Sequence, residues 1–285
     1  MTLVKSTVGL AGLTLVAGLS LSGVAVAQSA ADMLPQKYRD AGVLNVGMVL
    51  DYPPYSWIDA DSGNPTGLEV DVGLAIGEKL DIEWNIMSVK WEGLITGVGS
   101  ERFDVGAGGT SDLEEREKVV TFIDYAATSE AVIVLAKNAE IYPDMDALCG
   151  KSIGALKGTT TATVAEDLAK ECADKGLDTL HVNLYTSVPD ADLALQSGRD
   201  AAQVGSTEQA SFIMMTGGQD WHIVRAGIGA TPMGPFVSVK RPDLAEAILA
   251  ALKELRAEGK LTEIAAKYGL DGSIVDPMIN MTTAQ

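Results

Sequence analysis

Residues 90–122 read KWEGLITGVGSERFDVGAGGTSDLEEREKVVTF, and the local pattern changes twice along them. Positions 91–98 read as a helix and 103–107 as a short strand, which Gly108-Gly109 closes in a turn before a charged stretch. A helix feeding a strand that ends at a glycine-rich turn is a repeating unit of α/β folds. Upstream the alternation continues with a strand at 82–87, a helix at 67–80 that places Leu68, Val72, Ala75 and Ile76 on one face, and a strand at 43–49. Tyr52-Pro53-Pro54-Tyr55 breaks the chain between those last two, because proline suits neither a ladder nor a helix interior.

Downstream a second unit of the same kind begins. Residues 151–156 read as a strand, 160–172 as a helix and 180–184 as a strand; helices at 189–196 and 207–215 flank a strand at 201–204. A strand at 236–240 then leads to Pro242, which opens a long amphipathic helix that Gly259 ends, and a shorter helix covers 261–268. The expected architecture is α/β with a largely parallel sheet, in two domains separated by a cleft.

The first residues bear on compartment. Lys5 precedes an uncharged apolar run over 8–26 that ends in Ala25-Val26-Ala27, the pattern of a signal peptide cleaved after Ala27. A membrane anchor is the alternative, but glycines and serines break the run. The residue after the cut is Gln28 and not Cys, so no lipid tether is expected, which favours a Gram-negative periplasm. The net charge of −18 becomes −19 once Lys5, the leader's one charge, is removed. So acidic a chain lacks the clustered Lys and Arg that phosphate backbones require, and nucleic acid is excluded as a partner. Cys149 and Cys172 both lie in the exported part, where oxidising conditions favour a disulfide; two buried free thiols are the alternative. With only His181 and His222 beside them there is no metal-ligand spacing, and no metal or other cofactor is implied.

Several stretches in order resemble the family 3 extracellular solute-binding proteins, which serve ABC transporters for polar amino acids. They are LPQKYRDAGVLNVGM, YPPYSW, GLEVDVGLAIGEKL, residues 90–122, DALCGKSIGALKGTTTATVAEDLAKEC, ALQSGR and LAEAILAALKELRAEGKLTEIAAKYG. The resemblance implies a two-lobed periplasmic-binding-protein type II fold with residues 28–128 and 230–285 in lobe 1 and 129–229 in lobe 2. Two strands, near 125–132 and 227–234, would cross between lobes that close on ligand by a hinge. It implies a monomer that delivers a small carboxylate-bearing solute to an inner-membrane permease. The LCGK subgroup, with a second Cys after the next helix, implies the Cys149–Cys172 disulfide.

The same resemblance implies a ligand set. Arg116 alone would read as part of a solvated charge run, but its spacing from Asp104 and the glycine turn matches the family's carboxylate-binding arginine, whose fork holds a carboxylate bidentately. Gly108 and Gly109 would expose backbone carbonyls to an ammonium, and Ser111 would offer a hydroxyl and N–H near a helix start; an ordinary strand-to-helix turn is the plainer alternative. Thr159 and Thr160, after Gly158, would repeat the device in lobe 2 or simply cap a helix. Tyr52 and Trp91 match two aromatic positions that sandwich the ligand side chain, whereas Tyr55 and Trp57 are expected in the core. Glu69 and Asp71 are expected as helix-start residues favoured by the dipole. Gly205 stands where many relatives place an aspartate against the ligand ammonium, with Ser206 or Glu208 as substitutes. Val49 lacks the acid common in binders of cationic amino acids, although Asp51 is near. A cyclohexadienyl dehydratase-like enzyme on the same fold is the rival function, with Glu208 or Asp51 as its acid.

Overall fold

The structure is a computed structural model that describes residues 1–3 and 29–284. The expected leader run at 8–26 and the cleavage point after Ala27 lie outside the described residues. Among the described residues no helix is long and apolar enough to cross a membrane.

Two short helices, α1 (Ala30–Met33) and α2 (Gln36–Ala41), precede β1 (Val43–Met48). The two prolines then form a cis peptide at Pro53–Pro54, and around it a small antiparallel sheet that sequence did not show: β2 (Asp51–Tyr52), β3 (Ser56–Ile58) and β4 (Pro65–Thr66). Next come α3 (Leu68–Leu80), β5 (Glu83–Ser88), α4 (Trp91–Gly99), β6 (Val105–Ala107) and the single turn α5 (Glu114–Glu117). All but α5 fall within two residues of the expected bounds.

A 16-residue strand, β7 (Val120–Leu135), follows. The second unit comprises α6 (Met145–Leu148), β8 (Ser152–Leu156), α7 (Thr160–Asp174), β9 (His181–Tyr185), α8 (Val188–Gln196), β10 (Ala202–Ser206) and α9 (Thr207–Met215). Local capping sets its helix starts: the Ser187 hydroxyl accepts from Asp190 N–H and the Ser206 hydroxyl from Gln209 N–H at 3.0 Å. The chain returns through β11 (Trp221–Met233), β12 (Phe236–Ser238), α10 (Pro242–Ala257), α11 (Lys260–Ala266) and β13 (Ile274–Ile279).

The main sheet runs β5-β1-β6-β12-β7-β10-β8-β9, with β11 and β13 also paired to β7. It is mixed, not largely parallel. The β5–β1–β6 and β10–β8–β9 sets are parallel, and every pairing of β7, β11, β12 and β13 is antiparallel. β12 lies within the strand expected at 236–240, and β7 and β11 cover the two crossing strands the resemblance implies. The full length of β11 and the whole of β13 were not legible, because β11 contains Gly227 and Gly229 at positive φ and three register shifts, and β13 carries Pro277.

The long β7 ties two halves together. Its start, Val120–Phe122, pairs with β12, while Glu130–Ile133 pairs with β10 in the other half. Each half has its own apolar core. Leu44, Val46, Ile76 and Leu80 pack with Ile248 and Leu252 of α10, whereas Ile153, Ala165, Leu168 and Val204 form a separate cluster. Cys172 is buried in the second cluster and is disulfide-bonded to Cys149. Two cores bridged by β7 and β11 make the two-lobed type II fold, with its cleft where the strands cross.

Candidate functional site

A cavity of about 640 Å³ lies at that crossing. Tyr52, Trp91, Gly108, Gly109, Ser111 and Arg116 line it from the first half, and Thr159, Thr160 and Gly205 from the second, so the nine positions of the expected ligand set all lie in its wall.

Arg116 is the cavity's one buried cation among the described residues. In the run Glu114-Glu115-Arg116-Glu117-Lys118, Glu114, Glu115 and Lys118 are exposed while Arg116 is 8% exposed, so the stretch is no uniformly solvated face. Its Nη1 donates to the Ser111 carbonyl at 2.7 Å and its Nη2 to the Gly158 carbonyl of the other half at 3.3 Å. The guanidinium lies over the Trp91 ring, 4.9 Å from its centroid, which explains Trp91 at the mouth of α4: it walls the cation and does not merely fill core. Burial lowers the Arg116 pKa to about 10, still far above neutrality, so a charged group sits in a dry site. No salt bridge to it occurs among the described residues. Two of its five N–H donors are spent on carbonyls, leaving the rest for an anion.

The glycine turn is fixed from behind by Glu69. Its carboxylate accepts from Gly108 N–H at 2.9 Å, Gly109 N–H at 3.4 Å and the Tyr125 hydroxyl at 2.5 Å, and it is 2% exposed. Glu69 does sit in the first turn of α3, as expected, but its larger task is to orient this turn. The peptide N–H of Gly109 and the carbonyl of Gly108 point opposite ways, so tying down the first aims the second away from Glu69. Gly109 has φ +74°, and a Cβ there would lie 2.8 Å from the Tyr55 ring. Ser111 lies two residues before Leu113, the N-cap of the single-turn α5, and its carbonyl anchors Arg116.

Across the cavity, Thr159 is the N-cap of α7 but makes no side-chain capping bond; its hydroxyl donates to the Leu156 carbonyl. Plain capping therefore does not account for it. The Thr160 hydroxyl donates to Glu130 Oε1. Glu130 was missed from sequence. It lies on β7 opposite Ser206, is 3% exposed, and its second oxygen has no hydrogen-bond partner. Burial first, then the nearby Glu208, pushes its pKa up to about 7. Neither expected substitute for a missing acid at Gly205 is in the cavity lining: the Ser206 hydroxyl caps α9, and Glu208 accepts from Tyr55 Oη at 3.2 Å and Thr128 Oγ1 at 2.8 Å.

Tyr52 lines the cavity half-buried, its ring centroid 5.0 Å from that of buried Tyr55. Trp57 packs on Phe212 and Tyr268, as expected of a core residue. Asp51 and Asp190 line the same cavity from opposite halves, and burial raises the pKa of Asp51.

The family model for bacterial extracellular solute-binding proteins, family 3, matches residues 44–271. The chain belongs to that family. It is 26% identical over 257 residues to the lysine/arginine/ornithine-binding periplasmic protein of Escherichia coli K12, covering 87% of this chain and 93% of that one. It is 25% identical over 266 residues to the L-cystine-binding protein TcyJ of the same strain, covering 93% and 94%. Among solved structures, an ancestral arginine-binding protein bound to arginine superposes with a TM-score of 0.71 at 26% identity, over 80% of this chain and 98% of that one.

Proposed function

We propose that the protein is the periplasmic binding component of an ABC importer and captures an amino acid or close derivative by its carboxylate between two closing lobes. The single observation that carries this is Arg116: a buried guanidinium, with donors to spare and no acidic partner among the described residues, facing a cavity that both halves line. Ionic partners are what such a site selects, and an Arg fork suits a carboxylate. The relatives' names, a lysine/arginine/ornithine-binding periplasmic protein and an L-cystine-binding protein, support the ligand class. In this reading Arg116, Ser111 and the Gly108-Gly109 turn hold the ligand in lobe 1 with Tyr52 and Trp91 on its side chain, and Thr159, Thr160 and Gly205 face it from lobe 2. The lobes divide at 128/129 and 229/230, and the protein acts as a monomer without catalytic turnover.

Thermal unfolding in the presence of each L-amino acid tests the proposal, since a ligand that binds only the folded state raises Tm. At least one should stabilise the wild type, and Arg116→Ala should remove the shift; an unchanged shift in Arg116→Ala sinks the carboxylate assignment. Turnover of prephenate or arogenate by the purified protein would replace binding with catalysis. Export with cleavage after Ala27, leaving Gln28 without a lipid anchor, is read out by the N-terminal sequence and mass of the protein recovered from periplasm.

A further inference from the structure

Buried polar atoms in folded proteins are almost always hydrogen-bonded, so those left without a partner around a cavity mark where a ligand supplies one. Four such atoms belong to residues that line this cavity: Thr110 Oγ1, Glu130 Oε2, Gln203 Oε1 and Gln209 Nε2. Only Glu130 among them carries charge, and no salt bridge to it occurs among the described residues. Its position relative to Arg116 is set by one short loop. Arg116 reaches the Gly158 carbonyl and Glu130 the Thr160 hydroxyl, so a fixed cation and a half-satisfied acid are both tied to residues 158–160. A molecule bearing both a carboxylate and an ammonium would complement this pair of opposite charges.

Gly205 completes the picture. It follows the same strand pair, Gly205 opposite Ala131 and Ser206 opposite Glu130. A Cβ at 205 would lie 3.1 Å from Gln209 Oε1 and 3.2 Å from Ile133 Cδ1, so a larger residue there would press on the present packing. An acid borne on β7 leaves that space to Gln209 and still stands in the cavity wall.

We propose that Glu130 Oε2 accepts the α-ammonium of the ligand whose carboxylate Arg116 holds, making Glu130 the residue that selects α-amino acids over carboxylates lacking the amine. This rests on the carboxylate-binding function assigned above. An ammonium at this point also relieves what burial imposes, because an adjacent positive charge favours the ionised carboxylate.

The test uses the full mature protein, titration calorimetry and matched probes: L-arginine with its des-amino analogue 5-guanidinopentanoate, and L-glutamine with its des-amino analogue glutaramate. With the wild type, at least one amino acid should bind and its des-amino partner should bind about tenfold to a hundredfold more weakly, the size of one charge-assisted hydrogen bond. Glu130→Gln keeps the shape and can still accept from Thr160, and it should abolish that preference by weakening the amino acid alone. Glu130→Asp, which keeps the charge, should retain part of the preference and serves where the Gln variant is unstable by circular dichroism. A preference that survives in Glu130→Gln, or a wild type that binds both members of a pair equally, overturns the assignment while leaving Arg116 intact. A wild type that binds neither those probes nor any other L-amino acid overturns the amino-acid reading and this inference with it.

Discussion

Gly109 shows how much of the site depends on single atoms. A side chain at this position would meet both a left-handed backbone, φ +74°, and the Tyr55 ring 2.8 Å from its Cβ. Gly109→Ala should therefore lower stability by about 1 to 2 kcal/mol and weaken ligand binding together, because the turn moves off Glu69; urea unfolding and calorimetry on the same variant check both. Arg116 and the glycine turn were legible only through the family resemblance, since alone the arginine reads as part of a solvated charge run and the turn as an ordinary strand-to-helix link. Glu69 and Glu130 were not. Glu69 sits where any helix welcomes an acid, and Glu130 sits in AATSEAVIVL, where a lone acid in an apolar run reads as a solvent-facing residue. Only the fold shows that both lie inside, one holding the turn and one facing the cleft.

Helices were read closely and strands unevenly. α9 matches its expected bounds because Ser206 supplies a side-chain cap at its start, and α10 begins at a proline that needs no N–H donor. The parallel strands are short apolar runs between helices, whereas β11 is bulged and largely exposed, and β13 pairs only with β7. Their order is set by long-range pairing that no local pattern reports. The Cys149–Cys172 bridge is likewise an element-scale feature, joining the end of α6 to α7 across a separation of 23 residues. Replacing both cysteines with alanine should cost about 3 kcal/mol in the chain-entropy account, with ligand affinity unchanged because the bridge lies in the lobe's own core. Chemical unfolding of the double variant against the oxidised parent gives the first, and calorimetry the second.

At the scale of the whole molecule, buried acids couple stability to pH. Burial raises Asp192 to about 6 and Glu130 to about 7, and it also lifts Asp124. In the unfolded chain carboxyls release their protons at about pH 4. Between that point and neutrality the folded state holds protons that the unfolded state has lost, so its stability falls as pH rises. The ligand-free protein should thus be more stable in urea at about pH 5 than at about pH 8. A flat profile would mean that these acids are ionised in the folded state, and Glu130→Gln should flatten part of the slope.

The lobe 1 core is built from both ends of the chain. Leu44, Val46 and Ile76 are sealed by Leu244, Ile248, Leu252 and Leu261, while the second core draws on a contiguous stretch between Val132 and Val204. A polypeptide emerging from the ribosome therefore offers lobe 2 every residue of its core while the first half still lacks its cover. Full folding waits for Leu244 and the residues after it, and under the export proposed above that delay keeps the chain passable until its synthesis is nearly finished.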